Sequence, residues 1–175
     1  MVRGLEKGEK APRFSLLAAG SGRRVDLTTM AGRKVVLIFH LQGTAPTARE
    51  INRAVRAHHP DPEDVLVASV IDLSIGPPFY WMSVGLILGQ AYDRAAGELP
   101  PDADPAEYVV ILPDWGGLVS RQYGVRNTGR AAAIVVLDGE GSVAATYQGE
   151  RPVEKVLEVI GRTWIPQSVF DDSLI

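Results

Sequence analysis

Hydrophobic residues along this chain fall into short continuous runs separated by polar, Gly- and Pro-containing breaks. Residues 34–41 read Lys-Val-Val-Leu-Ile-Phe-His-Leu, and residues 65–72 read Val-Leu-Val-Ala-Ser-Val-Ile-Asp. Runs this short and this rich in β-branched residues predict central strands covered on both faces. Between them, Gly43 and Pro46 interrupt the pattern, and Ile51, Ala54 and Val55 then recur at helical spacing within residues 48–57. Strand, short loop, helix and strand together predict a right-handed βαβ unit with parallel strands.

An apolar helix is predicted over residues 79–96, followed by a Pro/Asp-rich loop at 99–105, a third strand at 108–112 and a short helix at 116–123 ending near Gly124. The pattern then changes. Residues 131–137 and 142–147 are two strands separated by Asp138-Gly139-Glu140-Gly141, a hairpin signal. Val153, Val156, Leu157 and Ile160 share one face of a closing helix over 153–162. The sum is an α/β fold, a central mixed β-sheet flanked by helices on both faces. It is assigned to residues 1–162, with a C-terminal tail at 163–175. Trp164, Ile165 and Phe170 in that tail either pack back on the domain or bind a partner.

A chain of 175 residues with 46% hydrophobic and 22% charged residues suits one globular domain. Its formal net charge of −3 provides no positive field for a phosphate backbone, so nucleic acid is not an expected partner. The first ten residues lack the apolar core of a secretory signal, and a cytoplasmic location is expected. The run from Phe79 to Leu88 is apolar almost all round but is bounded by Pro77-Pro78 and by Gln90, Asp93 and Arg94. A bilayer crossing needs about 20 apolar residues, so this run predicts a buried or interface helix and no membrane span. A homodimer through the Phe79–Leu88 helix is one reading of it.

The chain contains no cysteine. That removes disulfides, thiolate nucleophiles and sulfur metal sites together. The histidines are His40, His58 and His59; with His58 and His59 adjacent and followed by Pro60, they read as a solvated helix end, and no metal or cofactor is expected.

Four local motifs occur in order. Gly8-Glu9-Lys10-Ala11-Pro12-Arg13-Phe14-Ser15-Leu16 opens the chain, and Val25-Asp26-Leu27-Thr28-Thr29-Met30-Ala31-Gly32-Arg33 leads into the first long strand. Tyr123-Gly124-Val125-Arg126 ends the short helix, and Ile134-Val135-Val136-Leu137-Asp138-Gly139-Glu140-Gly141 enters the hairpin. Across residues 4–162 this order resembles the thioredoxin-like superfamily, in its peroxiredoxin (AhpC/TSA) and thiol-disulfide oxidoreductase (TlpA/ResA-like) branch. The resemblance implies a thioredoxin-like fold with an N-terminal extension, and antioxidant or disulfide chemistry.

The departure from that family falls on its active site. The resemblance implies Cys-x-x-Cys, or in peroxiredoxins Thr-x-x-Cys, at the start of the first helix; here Thr44-Ala45-Pro46-Thr47 stands there. A helix N-terminus assists catalysis by lowering a thiol pKa from about 8.5. A threonine hydroxyl is too weakly acidic to benefit, and without an adjacent base it is no nucleophile. Thr44 and Thr47 are therefore expected to cap the helix through their side-chain oxygens, and no catalytic residue is assigned. The resemblance also implies a cis-proline where Ala132 stands and an arginine near Arg130.

The pocket itself is expected to persist. Gly43, Thr44, Thr47, Arg130 and Ala132 are the candidate binding residues, with Arg126 an alternative to Arg130. The expected activity is that of a redox-inactive binding or interaction module for a peptide, a protein or a small anion. The alternatives are an antioxidant oxidoreductase, as the resemblance implies, and a glutathione-binding enzyme that uses the Thr44 hydroxyl as a donor.

Overall fold

The computed structural model describes residues 4–162; the tail at 163–175 lies outside the described residues. Seven strands and five helices follow in the order β1 (Ser15–Leu17), β2 (Arg24–Asp26), β3 (Lys34–Phe39), α1 (Ala45–His58), β4 (Val65–Asp72), α2 (Trp81–Gly97), α3 (Pro105–Tyr108), β5 (Val110–Asp114), α4 (Leu118–Gln122), β6 (Ala133–Leu137), β7 (Val143–Gln148) and α5 (Pro152–Arg162). Single 3₁₀ turns occupy Leu27–Thr29, Gln42–Thr44 and Pro78–Tyr80.

Five strands form the main sheet in the order β5-β4-β3-β6-β7. β3, β4 and β5 run parallel, while β6 is antiparallel to β3 and β7 antiparallel to β6. This is the mixed sheet that the hydrophobic runs predict, with β3 at its centre.

Every residue of β3 is buried, and alternation divides them between two cores. Val35, Leu37 and Phe39 meet Phe14, Val25 and Met30 of the N-terminal segment and Val119 and Tyr123 near α4. Val36 and Ile38 meet Ala48, Ile51 and Val55 of α1 and Val156 and Ile160 of α5. Lys34, the one charged residue of β3, sends its Nζ to the Ile160 carbonyl at 2.8 Å. Burial pushes its ammonium pKa down.

Local chemistry sets the boundaries. α1 begins three residues earlier than its hydrophobic spacing predicts, because Pro46 sits in the first turn, where a missing N–H loses no hydrogen bond. β5 starts two residues later than predicted. The residues before it form α3, with the Asp104 carboxylate accepting from the Ala106 N–H. The β1–β2 hairpin is too short to leave a periodic signal. The hairpin between β6 and β7 turns where predicted: Asp138 Oδ1 accepts from Glu140 and Ser142 N–H, and Gly141 takes a positive φ.

Of the two readings of α2, buried helix or interface helix, the structure does not bear out the first: Leu88 is its only buried residue, and Phe79, Met82 and Leu86 are 80%, 90% and 66% exposed. The N-terminal segment and α4 already occupy the sheet face that α2 was free to cover. Among the described residues, no helix is long and apolar enough to cross a membrane.

Tyr123 ties the N-terminal segment to the core. Its ring lies against Phe39 and Phe14, its hydroxyl donates to the Pro12 carbonyl at 2.9 Å, and burial pushes its pKa upward. Tyr123→Phe should lower stability by about 1 kcal/mol through that single lost bond; urea unfolding monitored by circular dichroism checks this.

Candidate functional site

The candidate residues gather at the C-terminal end of β3, the place where open α/β sheets present their crevices. Beyond Phe39 the chain leaves the sheet through His40 and Leu41, makes one 3₁₀ turn over Gln42–Thr44 and enters α1. Facing this turn is the loop from Val125 to Ala132, which leads into β6. The two segments touch: a Cβ added at Gly43 would lie 3.8 Å from the Gly129 carbonyl oxygen, and one at Gly129 would lie 3.5 Å from Leu41 Cδ1.

Thr44 joins them. Its buried Oγ1 accepts from the Leu41 N–H at 3.1 Å and lies 2.7 Å from the Thr128 carbonyl, which can only accept. The Leu41 carbonyl also lies within reach, at 3.3 Å, but the 2.7 Å separation makes Thr128 the better acceptor, and the hydroxyl proton is assigned across the loops to it. The expected cap is corrected here: Thr44 occupies the N-cap position of α1 but makes no side-chain cap hydrogen bond, because its oxygen serves Leu41 instead. Thr47 lies half-buried in the first turn, and its hydroxyl forms no hydrogen bond among the described residues. Ala45 and Pro46 supply backbone for that turn.

The facing loop is held from its other side by Gln148 of β7, whose Nε2 donates to the carbonyls of Arg126 and Ala131 at 2.9 Å each. Asn127 bends it, with φ of 54°, a left-handed conformation that asparagine tolerates better than most residues. Ala132 is buried in the core between the sheet and α1, not presented to the crevice. Arg130 is exposed and contributes its backbone N–H to a turn with Asn127. No peptide bond among the described residues is cis.

Beside this joint lies a cleft of about 240 Å3. Phe39, Leu41, Val70 and Val125 form its apolar floor, and Asp72, Arg126, Asn127 and Thr128 stand among its polar lining. Of the two arginines considered from sequence, Arg126 lines the cleft and Arg130 does not. Gly43, Thr44 and Thr47 are absent from its lining, which Leu41 and Gly129 share.

Two further groups shape this end of the sheet. Asp114 is 2% exposed, and its Oδ2 accepts from both the N–H and the hydroxyl of Ser120 at 2.8 and 3.0 Å, which fixes α4 against β5. His40 is buried, with Nδ1 3.1 Å from the Leu41 carbonyl. A carbonyl only accepts, so Nδ1 carries the proton. Desolvation pushes the His40 pKa below its ordinary value and keeps the ring neutral at pH 7, although the Leu41 bond opposes this shift. No hydrogen bond joins His40 to Thr44 or Thr47, so the threonines have no paired base.

A model of the Redoxin family matches residues 6–160. The chain belongs to the Redoxin family. Comparison with curated proteins returned no match. Among solved structures, a protein assigned as a thiol:disulfide interchange protein DsbE from Chlorobium tepidum is 21% identical, with 90% of this chain and 100% of that one covered and a TM-score of 0.61. A thiol-disulfide oxidoreductase from Bacteroides fragilis is 17% identical over 86% of this chain and 99% of its own, with a TM-score of 0.59. The exposed lipoprotein thioredoxin Etrx1 from Streptococcus pneumoniae is 19% identical over 86% and 98%, with a TM-score of 0.56. At these identities the likeness establishes the thioredoxin-like fold alone.

This redoxin therefore keeps the family's architecture and has no sulfur other than that of its three methionines. Sequence reasoning located Thr44 but not its partners: Thr128 is 84 residues away and reaches Thr44 through a backbone carbonyl, which leaves no side-chain signal. Gln148 was likewise missed, as a polar residue at the end of an edge strand.

Thr44→Val keeps the shape and removes the hydroxyl, so the Leu41 N–H and Thr128 C=O lose their partner. Stability should fall by about 1–3 kcal/mol, and Thr44→Ser should retain most of it, as read by denaturant unfolding. The depressed His40 pKa has a definite sign. The unfolded chain takes up a proton near pH 6.5 where the folded chain does not, so stability is full above about pH 6.5 and declines as pH falls below it. His40→Asn, which keeps an N–H toward Leu41, should flatten part of that decline in unfolding midpoints measured from pH 7.5 to 5.

Proposed function

We propose that this redoxin-family chain works by recognition rather than by thiol turnover, its cleft receiving one apolar side chain of a peptide or protein partner. The observation that carries this reading is the Thr44 hydroxyl donated to Thr128 at 2.7 Å, beside a cleft that this bond leaves open. Thr44, the first residue of the Thr-x-x-Thr segment that stands where the resemblance implies Cys-x-x-Cys or Thr-x-x-Cys, is used as a joint between loops. A joint that orders both walls of a cleft favours binding, because the walls are positioned before a ligand arrives.

The cleft's size and lining support the choice of ligand. At about 240 Å3 it falls just below the 300–1,000 Å3 typical of sites for drug-sized molecules, a volume suited to a single large side chain. Phe39, Leu41, Val70 and Val125 offer that side chain an apolar surface, and Asp72, Asn127 and Thr128 offer hydrogen-bonding groups to the peptide on either side of it. A small anion is less well served, since the Asp72 carboxylate shares the lining with Arg126. A glutathione-binding enzyme is not favoured either: a hydroxyl whose proton is held by Thr128 is not a donor to a thiolate.

Peroxide consumption and disulfide reduction with dithiothreitol should give no turnover above the blank for the native chain. A capped Leu-Phe dipeptide should shift the amide resonances of residues 125–129 in a saturable way. Val125→Trp, which fills the cleft, should abolish those shifts while the unfolding midpoint changes little. Native turnover, or peptide shifts indifferent to Val125→Trp, would overturn the reading.

A further inference from the structure

From Leu73 to Tyr92 the chain runs for twenty residues without one Asp, Glu, Lys or Arg, and most of that stretch lies on the surface. Phe79, Trp81, Met82, Leu86 and Ile87 are 80%, 39%, 90%, 66% and 55% exposed, and Trp115, 36% exposed, extends the patch through a ring contact with Trp81 at 5.7 Å. Ile87 lies about 140° round the helix from Met82; at about 200 Å2 for a fully exposed large side chain, the other five offer roughly 600 Å2 of apolar surface. That reaches the upper end of the roughly 300–600 Å2 of the largest patch on a typical monomer. It approaches the roughly 800 Å2 that each partner contributes to a stable protein interface.

The patch also has a shape. Met82, Gly85, Leu86 and Gly89 recur at i, i+3, i+4 and i+7 of α2 and so share one face. A Cβ added at Gly85 or Gly89 would meet nothing within 4 Å, so the two glycines leave a shallow, open groove flanked by Met82 and Leu86. Small residues spaced four apart let a second helix approach closely.

We propose that α2 is the interface of a symmetric homodimer, with a second copy of this chain packing its own α2 across the Met82–Gly89 face. Self-pairing follows from the missing charge. A two-fold interface places the same patch on both sides and brings groups near the axis close to their own images, which penalises a patch of one charge sign and leaves an uncharged one unpenalised. The first charged residues along the same helix, Asp93 and Arg94, lie beyond the glycine pair. A lipid surface is a poorer occupant, because no lysine or arginine lies within that charge-free stretch to meet anionic headgroups.

Sedimentation velocity on the full chain tests this. The native protein should sediment as a dimer at tens of micromolar. Leu86→Glu, at an exposed position, should raise the dimer dissociation constant at least tenfold without lowering Tm. Gly85→Leu should act with opposite signs, raising the Tm of the monomer by improving helix propensity and weakening the dimer by filling the groove. A native chain that is monomeric at every concentration, a dimer unmoved by Leu86→Glu and Gly85→Leu, or a monomer that instead floats with phosphatidylcholine vesicles would each overturn the proposal. Met82→Lys serves as the second variant if Leu86→Glu lowers Tm.

Discussion

One hydroxyl group organises the functional end of this molecule. Thr44 accepts from Leu41 within its own turn and donates to Thr128 in the loop that faces it. A single buried side chain thus fixes the exit of the central strand relative to the entry of its antiparallel neighbour. In water such a bond is worth about 1 kcal/mol, but buried polar groups left without partners cost more than the bond itself contributes. The geometry is therefore held as much by the penalty of breaking it as by its strength. The first residue of the segment where the family resemblance implies Cys-x-x-Cys or Thr-x-x-Cys is, in this chain, a structural joint.

The joint acts on a scaffold that is rigid for separate reasons. β3 is enclosed by two cores, one built with α1 and α5 and one with the N-terminal segment and α4. Gln148 secures the far side of the facing loop from β7, and Asp114 locks α4 through Ser120. The cleft between Leu41, Val70 and Val125 has the anchored facing loop on one side and the end of β4 with the exposed Ile75 on another. A preformed cleft of this kind loses little conformational entropy when a ligand enters.

Legibility in the sequence followed the source of each signal. β3 and β4 were readable because burial on both faces demands continuous apolar runs, and the β6–β7 turn because Asp138 and Gly141 are required by its backbone. The β1–β2 hairpin and α3 are three and four residues long, too short for any period to register. The exposure of α2 was not readable, since an apolar helix looks the same whether a sheet or a partner covers it. The place of Gly43, Thr44 and Thr47 at the turn into α1 was legible, but the contact that Thr44 makes depends on a partner 84 residues distant, and none of the three lines the cleft. Ala132 shows the same limit: its place before β6 was legible, but alternation turned it into the core.

The account rests on the Thr44 hydroxyl proton being held by the Thr128 carbonyl. Solution NMR can observe that proton directly, because threonine hydroxyl resonances are visible only when exchange with water is slow. The account predicts a detectable Thr44 hydroxyl signal at neutral pH and 25 °C, with cross-relaxation to protons of residues 128 and 129. A Thr44 hydroxyl that exchanges as fast as an exposed threonine and shows no contact with that loop would contradict it.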